Sequence, residues 1–139
     1  MITFYCFSIS PLSVSQVLIA LFLAICFIQS GIDKIIDYKG NLDWLMAHFS
    51  NSPLKNMVPL LLMIITLSEL LGGFLCSVGI FDFLINNTKS LLLYGFIVNA
   101  ISLIALFLGQ RLAKDYEGAA VLLGYFILTI IGILSFSGI

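Results

Sequence analysis

Charge is what this sequence has least of. Only 9% of its 139 residues are Asp, Glu, Lys or Arg, the formal net charge is -1 and the mean hydropathy is +1.18. Soluble globular domains carry about 25% charged residues, so the composition excludes that class. The basic residues form no run, which argues against nucleic-acid binding. We therefore predict an integral membrane protein whose partners lie in or at the lipid bilayer.

The sequence is also poor in redox and metal-binding side chains. Its three cysteines, Cys6, Cys26 and Cys76, form no C-x-x-C pair, which argues against a redox dithiol or a structural zinc site. The single histidine, His48, cannot supply both axial ligands of a bis-histidine haem, and we expect it to face solvent. No flavin or dinucleotide fingerprint is visible. We expect no metal site and no covalently bound cofactor.

Long apolar segments are abundant, and they predict the fold. The spans, about 14–32, 57–81, 90–109 and 118–136, are long enough at ~1.5 Å per residue to cross a ~30 Å hydrocarbon core. The predicted class is all-α, an integral membrane four-helix bundle in a single domain. Between the first two spans, Asn41 is the expected N-cap of a short helix ending near Phe49, with an apolar face typical of an interfacial amphipathic helix.

A single carboxylate, Glu69, lies in the middle of the second span. A charge at bilayer centre costs ~3 kcal/mol, which the surrounding apolar residues offset at roughly 0.3 to 0.6 kcal/mol each. Its helical face consists of small or polar residues and should contact protein: Thr66, Gly72, Gly73 and Cys76. Asn99, at a similar depth in the third span, is an expected hydrogen-bond partner. Glu69 is either a proton-handling, ligand-binding or partner-pairing site, or a protonated structural acid.

The basic residues define an orientation. Of the six, only Lys89 lies in the loop after the second span; the loops after the first and third spans hold Lys34, Lys39, Lys55, Arg111 and Lys114. The positive-inside rule then places these two loops in the cytoplasm and both termini outside. Residues 1–13 lack the basic start of a cleavable signal peptide, so we expect them to remain in the mature chain.

The two cytoplasmic loops bring polar side chains to the same membrane face. We predict that they form a polar mouth leading inward through Gln29 towards Glu69 and Asn99, with surface salt bridges as the alternative. Lys34, at the edge of the first span, can snorkel to the interface. No catalytic residue is identified. The candidate ligand-binding or proton-handling residues are Gln29, Asp33, Lys34, Glu69, Asn99, Gln110, Arg111 and Asp115.

Two short motifs resemble those of the DoxX family of small four-helix membrane proteins. Gly31-Ile32-Asp33-Lys34 is similar to the glycine-to-lysine signature that ends helix one, and Glu69-Leu70-Leu71-Gly72-Gly73, followed by Gly79, to the glutamate-glycine signature of helix two. The loop 109–116 is similar to that of a Bacteroidota subgroup. Many members carry an arginine near the start of helix one, but 13–17 has none, which leaves any ligand role of that arginine without support here.

The resemblance implies a cellular location and a kind of assembly more than it implies a particular reaction. The family takes its name from a membrane subunit of a thiosulfate:quinone oxidoreductase, which implies a multi-pass protein of the bacterial inner (cytoplasmic) membrane and other membrane subunits as partners. Our leading hypothesis is a subunit of an oxidoreductase or respiratory assembly, with a quinone or lipid headgroup near Gln29, Glu69 and Asn99. We expect no activity from the chain alone. The alternatives are a purely structural accessory subunit and, third, a small transporter or lipid-handling protein.

Overall fold

The structure, a computed structural model, describes residues 2–4 and 7–137 and is a bundle of helices. In this part of the chain the helices are α1 Pro11–Ile36, α2 Tyr38–His48, α3 Val58–Asn86, α4 Ser90–Leu112 and α5 Tyr116–Leu134. All except α2 are long and apolar enough to cross a membrane. The prediction of an all-α, four-helix membrane bundle with one short helix between the first two spans is therefore confirmed.

A short hairpin precedes the bundle. The strands β1 Ile2–Phe4 and β2 Phe7–Ile9 pair antiparallel, with Ile2 opposite Ile9. The sequence interpretation did not include these strands, since three residues are too few to show a period-2 pattern. Cys6, one of the three cysteines, lies outside the described residues.

Polar caps begin α1 and separate it from α2. The Ser10 side chain accepts a hydrogen bond from the Ser13 backbone N–H at 3.1 Å, and Pro11 follows at the first helical position. The prediction that Asn41 caps the short helix is wrong. The cap is Asp37, whose carboxylate accepts from the Gly40 N–H at 3.3 Å, so α2 begins three residues earlier than Asn41.

Asn41 instead forms hydrogen bonds at the junction between α1 and α2. Its Nδ2 donates to the backbone carbonyls of Asp33 and Asp37, at 3.2 and 2.8 Å. The last carbonyls of a helix have no partner within that helix, and a nearby side-chain amide satisfies them. Asn41 therefore closes the C-terminal end of α1 and holds α2 directly against it. A side chain of this type fits both tasks, which is why the sequence alone did not separate them.

Close helix contacts join α1, α3, α4 and α5. The helix α3 packs against both α1 and α4, and α4 also packs against α5. A Cβ atom on Gly73 would lie 2.6 Å from Ile28 Cγ1 in α1, and one on Gly95 in α4 would lie 2.9 Å from the backbone N of Cys76. Only glycine permits these distances, so the small-residue faces let the helix backbones approach each other closely.

The predicted inward face of α3 is confirmed. Thr66, Glu69, Gly72, Gly73 and Cys76 are all buried. The apolar core that surrounds this face is made by α1, α3 and α4, and consists of Ala20, Leu23, Ala24, Phe27, Cys76, Phe83, Leu92, Phe96 and Leu103. A carboxylate in this position has protein, not lipid, around it.

Candidate functional site

An ion pair between α1 and α3 forms the centre of the candidate site. The Lys34 Nζ lies 3.1 Å from Glu69 Oε2, and the Glu69 side chain is 1% exposed against 18% for Lys34. The same Nζ donates to the Ser30 Oγ at 2.6 Å and lies 3.4 Å from the Ser30 carbonyl oxygen. Each charge is thus compensated by the other and by local hydrogen bonds, as burial in an apolar interior requires.

The packing of α1 on α3 sets the position of the pair. Gly31 lies one turn before Lys34, and a Cβ atom on it would be 2.6 Å from Leu70 Cγ. Leu70 therefore occupies the space beside Gly31, which brings the end of α1 against the middle of α3. We expected Lys34 to snorkel to the interface, but its ammonium turns inward, because a buried carboxylate in a low dielectric attracts it more strongly than the distant headgroups do.

A groove beside the pair opens between the end of α1 and the start of α3. It has a volume of about 530 Å³, within the range of about 300 to 1,000 Å³ that is usual for ligand pockets. Lys34 is the charged residue of its lining and Thr66 and Tyr38 are the polar ones; the other lining residues are Ile35, Pro59, Leu60, Met63 and Leu67. The groove is therefore largely apolar, with Lys34 as the one charged residue among those that line it, and Glu69 is not part of the lining.

The expected hydrogen bond between Glu69 and Asn99 is absent, and this prediction is wrong. Asn99 is fully buried in α4, and its Nδ2 donates to the Cys76 Sγ at 3.3 Å. Its Oδ1 lies against Gly72 and accepts no hydrogen bond from the described residues. Asn99 contacts Gly72 and Cys76, which follow Glu69 in α3, and Lys34 takes the position at Glu69 that we assigned to the amide.

The predicted polar mouth divides into separate parts. Gln29 and Asp33 are exposed on the outside of α1, so neither side chain leads inward to Glu69. Arg111 is exposed as well, and its guanidinium lies over the Tyr116 ring at 4.7 Å from the centroid. Of the eight candidate residues, the structure joins Lys34 to Glu69 directly.

Gln110 and Asp115 form a second cluster, together with a histidine that the sequence interpretation placed in solvent. The His48 Nε2 lies 3.2 Å from Gln110 Oε1 and 3.4 Å from Asp115 Oδ2, and its ring stacks on Trp44 at 4.6 Å between centroids. The side chain of His48 is only 20% exposed. Asp115 also caps α5 by accepting from the Gly118 N–H at 2.9 Å, so the cluster fastens α2 to the loop between α4 and α5.

Sequence reasoning missed two contributors to these clusters. Ser30 lies four residues before Lys34, a helical spacing that places both side chains on one face, so this signal was available. His48 gave no such signal, because its partners are far away in the sequence.

In residues 2–4 and 7–137, no group of three or more His, Cys, Asp or Glu side chains is placed to hold a metal ion.

The helices and the buried pair together define a multi-pass membrane protein with a four-helix core. A family comparison is consistent with this class, since residues 16–106 match the model of the DoxX family. The chain belongs to that family. The matched region includes Lys34, Glu69 and most of α4, and α5 follows it. No curated protein and no solved structure gave a match.

Proposed function

We propose that this protein is a membrane subunit of an oxidoreductase or respiratory assembly and that it binds a quinone or a lipid headgroup in the groove beside Lys34. The observation that carries the proposal is that Lys34, the one charged residue in the lining of a largely apolar groove, is paired with the buried Glu69. An ammonium N–H donates to a carbonyl or headgroup oxygen, and the apolar lining accommodates a hydrocarbon tail.

A quinone fits the residues that are present. Lys34 would donate a hydrogen bond to one of its carbonyl oxygens, and the walls formed by Leu60, Met63 and Leu67 would contact the ring and tail. The bound quinone would supply electron acceptance. Glu69 would keep the Lys34 ammonium in place beside that oxygen. The electron donor would come from a partner subunit, because the sequence encodes no flavin or dinucleotide fingerprint.

The purely structural alternative relied on glycine faces that are free to contact a partner. In α3 and α4 these faces are occupied within the chain: Gly72 contacts Asn99, Gly79 contacts Leu92 and Gly95 contacts Cys76. Gly124 in α5 is different, since nothing lies within 4 Å of the position its Cβ would take. We therefore favour a ligand-binding subunit that meets its partners through side chains other than these glycines.

The orientation completes the proposal. The groove lies at the end of the bundle where α1 ends and α3 begins, between Lys34 and Pro59. The basic residues favour this end as the cytoplasmic one in a bacterial inner membrane. A ligand would then enter from the cytoplasmic half of the bilayer, close to any soluble or peripheral subunit that delivers electrons.

Purification from native membranes in mild detergent tests both parts of the proposal. Mass spectrometry of the wild-type protein should find respiratory or oxidoreductase subunits and one quinone or lipid per chain. The variant Met63→Trp, which fills the groove, should lose the small molecule but keep the subunits. The control Ile131→Trp, on the exposed face of α5, should retain both.

Two results would count against the proposal. Equal amounts of the small molecule in Met63→Trp and wild type would remove the groove as its binding site. Recovery of the chain without any other subunit would remove the assembly role, and with a bound lipid it would favour an independent lipid-handling protein.

A further inference from the structure

A histidine nitrogen and two side-chain oxygens lie close together where α2 meets the loop between α4 and α5. The His48 Nε2 lies 3.2 Å from Gln110 Oε1 and 3.4 Å from Asp115 Oδ2. A ring nitrogen carries at most one hydrogen, so a hydrogen on Nε2 would be shared by two acceptors. Both distances exceed the 2.9 to 3.0 Å that is about the commonest length of an N–H···O bond. Hydrogen bonding within the cluster therefore leaves much of its acceptor capacity unused.

The same distances match those between ligand atoms around a zinc ion. Zn²⁺ binds histidine nitrogen at about 2.0 to 2.1 Å and carboxylate oxygen at about 2.0 to 2.2 Å, in tetrahedral geometry. Two ligand atoms at these lengths are about 3.4 Å apart across a tetrahedral angle. The separations of His48 Nε2 from the Gln110 and Asp115 oxygens, 3.2 and 3.4 Å, are close to this value. An ion therefore fits beside the three atoms with little movement of the side chains.

Local contacts hold each of the three side chains in place. The His48 ring stacks on Trp44, one turn earlier in α2, at 4.6 Å between centroids. Asp115 uses its Oδ1 to accept from the Gly118 N–H at 2.9 Å, which leaves Oδ2 for His48. The Asp115 N–H donates to the Gln110 carbonyl oxygen at 2.9 Å, so the loop keeps these two residues side by side. Contacts of this kind orient metal ligands and strengthen metal binding.

The ligand types select the class of ion. Imidazole nitrogen suits first-row transition ions such as Zn²⁺, whereas Ca²⁺ and Mg²⁺ prefer oxygen ligands. The side chains of His48 and Asp115 are 20% and 28% exposed, so an ion can reach them from water, and water can fill the fourth position. Gln110 supplies a neutral amide oxygen, which is not a usual zinc ligand. We therefore expect weaker binding than at a site of four histidine or cysteine ligands.

We propose that His48, Asp115 and Gln110 bind one Zn²⁺ ion, which joins α2 to the loop between α4 and α5. This goes beyond the proposed function, because none of the three residues lines the groove. No residue of α2 is buried, so its position depends on surface contacts. Its first residue, Tyr38, lines the groove. The ion thus stabilises the helix that borders the groove, at the end of α2 remote from it.

Zinc titration of the full chain in dodecylmaltoside micelles tests the proposal. The protein carries a streptavidin-binding tag, so that no added histidines compete, and is first treated with EDTA and dialysed. Competition with a chromogenic zinc indicator gives the stoichiometry and the Kd, and the wild type should bind one Zn²⁺ per chain. At a free zinc concentration about 100 times the Kd, the equilibrium constant for folding should rise about 100-fold, as measured by unfolding in dodecyl sulfate. The same concentration of Mg²⁺ should leave it unchanged.

Variants identify the ligands. His48→Gln should weaken zinc binding by about tenfold or more, and so should Asp115→Asn, although asparagine can still cap α5. Gln110→Glu should tighten binding by about tenfold or more, because it replaces the amide with a charged carboxylate of the same shape. The matched control Asp43→Asn, which neutralises an exposed carboxylate of α2, should bind zinc like the wild type.

Three results would overturn the proposal. The first is a wild type that binds no zinc or whose unfolding zinc does not shift. The second is equal affinity of His48→Gln and the wild type, which would place the ion elsewhere in the chain. The third is a Gln110→Glu variant that binds zinc no more tightly, since its carboxylate would then not reach the ion. The wild-type titration keeps the proposal refutable where a variant does not fold, and the ligand of the groove is tested separately by Met63→Trp.

Discussion

The substitution Lys34→Met tests the energetic role of the buried pair. It removes the ammonium that lies 3.1 Å from Glu69 and leaves a carboxylate that is 1% exposed without its partner. Loss of one partner of a buried pair costs about 3 to 5 kcal/mol, and a charge at bilayer centre costs about 2.5 to 3.5 kcal/mol. The two ranges overlap near 3 kcal/mol, which is the destabilisation we expect at neutral pH.

Unfolding in mixed bicelles with increasing dodecyl sulfate measures this change in free energy. The control Lys39→Met removes an exposed lysine of α2 and should stay within about 0.5 kcal/mol of the wild type. The double variant Lys34→Met/Glu69→Leu should recover most of the loss, because replacing both members of a buried pair by apolar residues is often neutral. The reasoning is refuted if Lys34→Met is no less stable than the Lys39 control.

Three further predictions concern packing, the second cluster and a turn. Gly95→Ala should destabilise the protein by about 1 to 3 kcal/mol, because the added Cβ has no space. Gly124→Ala, in open surroundings, should stabilise it by up to about 1 kcal/mol in the same unfolding assay. Equal effects of the two substitutions would contradict this packing. A double-mutant cycle of His48→Gln and Asp115→Asn should give a coupling of about 0.2 to 1 kcal/mol, as for a partly exposed pair, and zero coupling would show that the contact stabilises nothing. Asn87, at φ 55°, should tolerate glycine but lose about 1 to 2 kcal/mol on change to valine, and equal stability of both variants would be the contrary result.

The sequence was sufficient for the helices because hydrophobic length alone identifies a membrane-spanning segment. The predicted spans of α1 and α4 lie inside those helices, the span predicted for α3 begins one residue before it, and the span predicted for α5 ends two residues after it. The ends were less accurate, since α1 and α3 continue to Ile36 and Asn86, beyond the apolar runs. Capping explains the error at α2: Asp37 and Asn41 both suit an N-cap, and only the path of the backbone decides between them.

The candidate site was predictable only in part. Helical spacing placed Glu69 on the buried face of α3, because the period of a helix needs no knowledge of its neighbours. Its partner was not predictable in this way. Whether Lys34 or Asn99 reaches Glu69 depends on the rotation and depth of α1 and α4 relative to α3, and residues at glycine contacts such as Gly31 set both. The prediction that Gln29 points inward was wrong for the same reason, because a small rotation of α1 decides whether a side chain faces inward or is exposed.

The positions of Lys34 and Glu69 relative to the groove affect both the stability of the ion pair and the kind of polar group that borders the groove. If Glu69 lined the groove and Lys34 lay behind it, the first group met by a membrane ligand would be an acceptor, which suits hydroxyl or amine heads. In the structure Lys34 is part of the groove lining and Glu69 is not. The pair is neutral as a whole, which makes both charges tolerable inside the bilayer, and the member that borders the groove is the one whose head group can only donate hydrogen bonds.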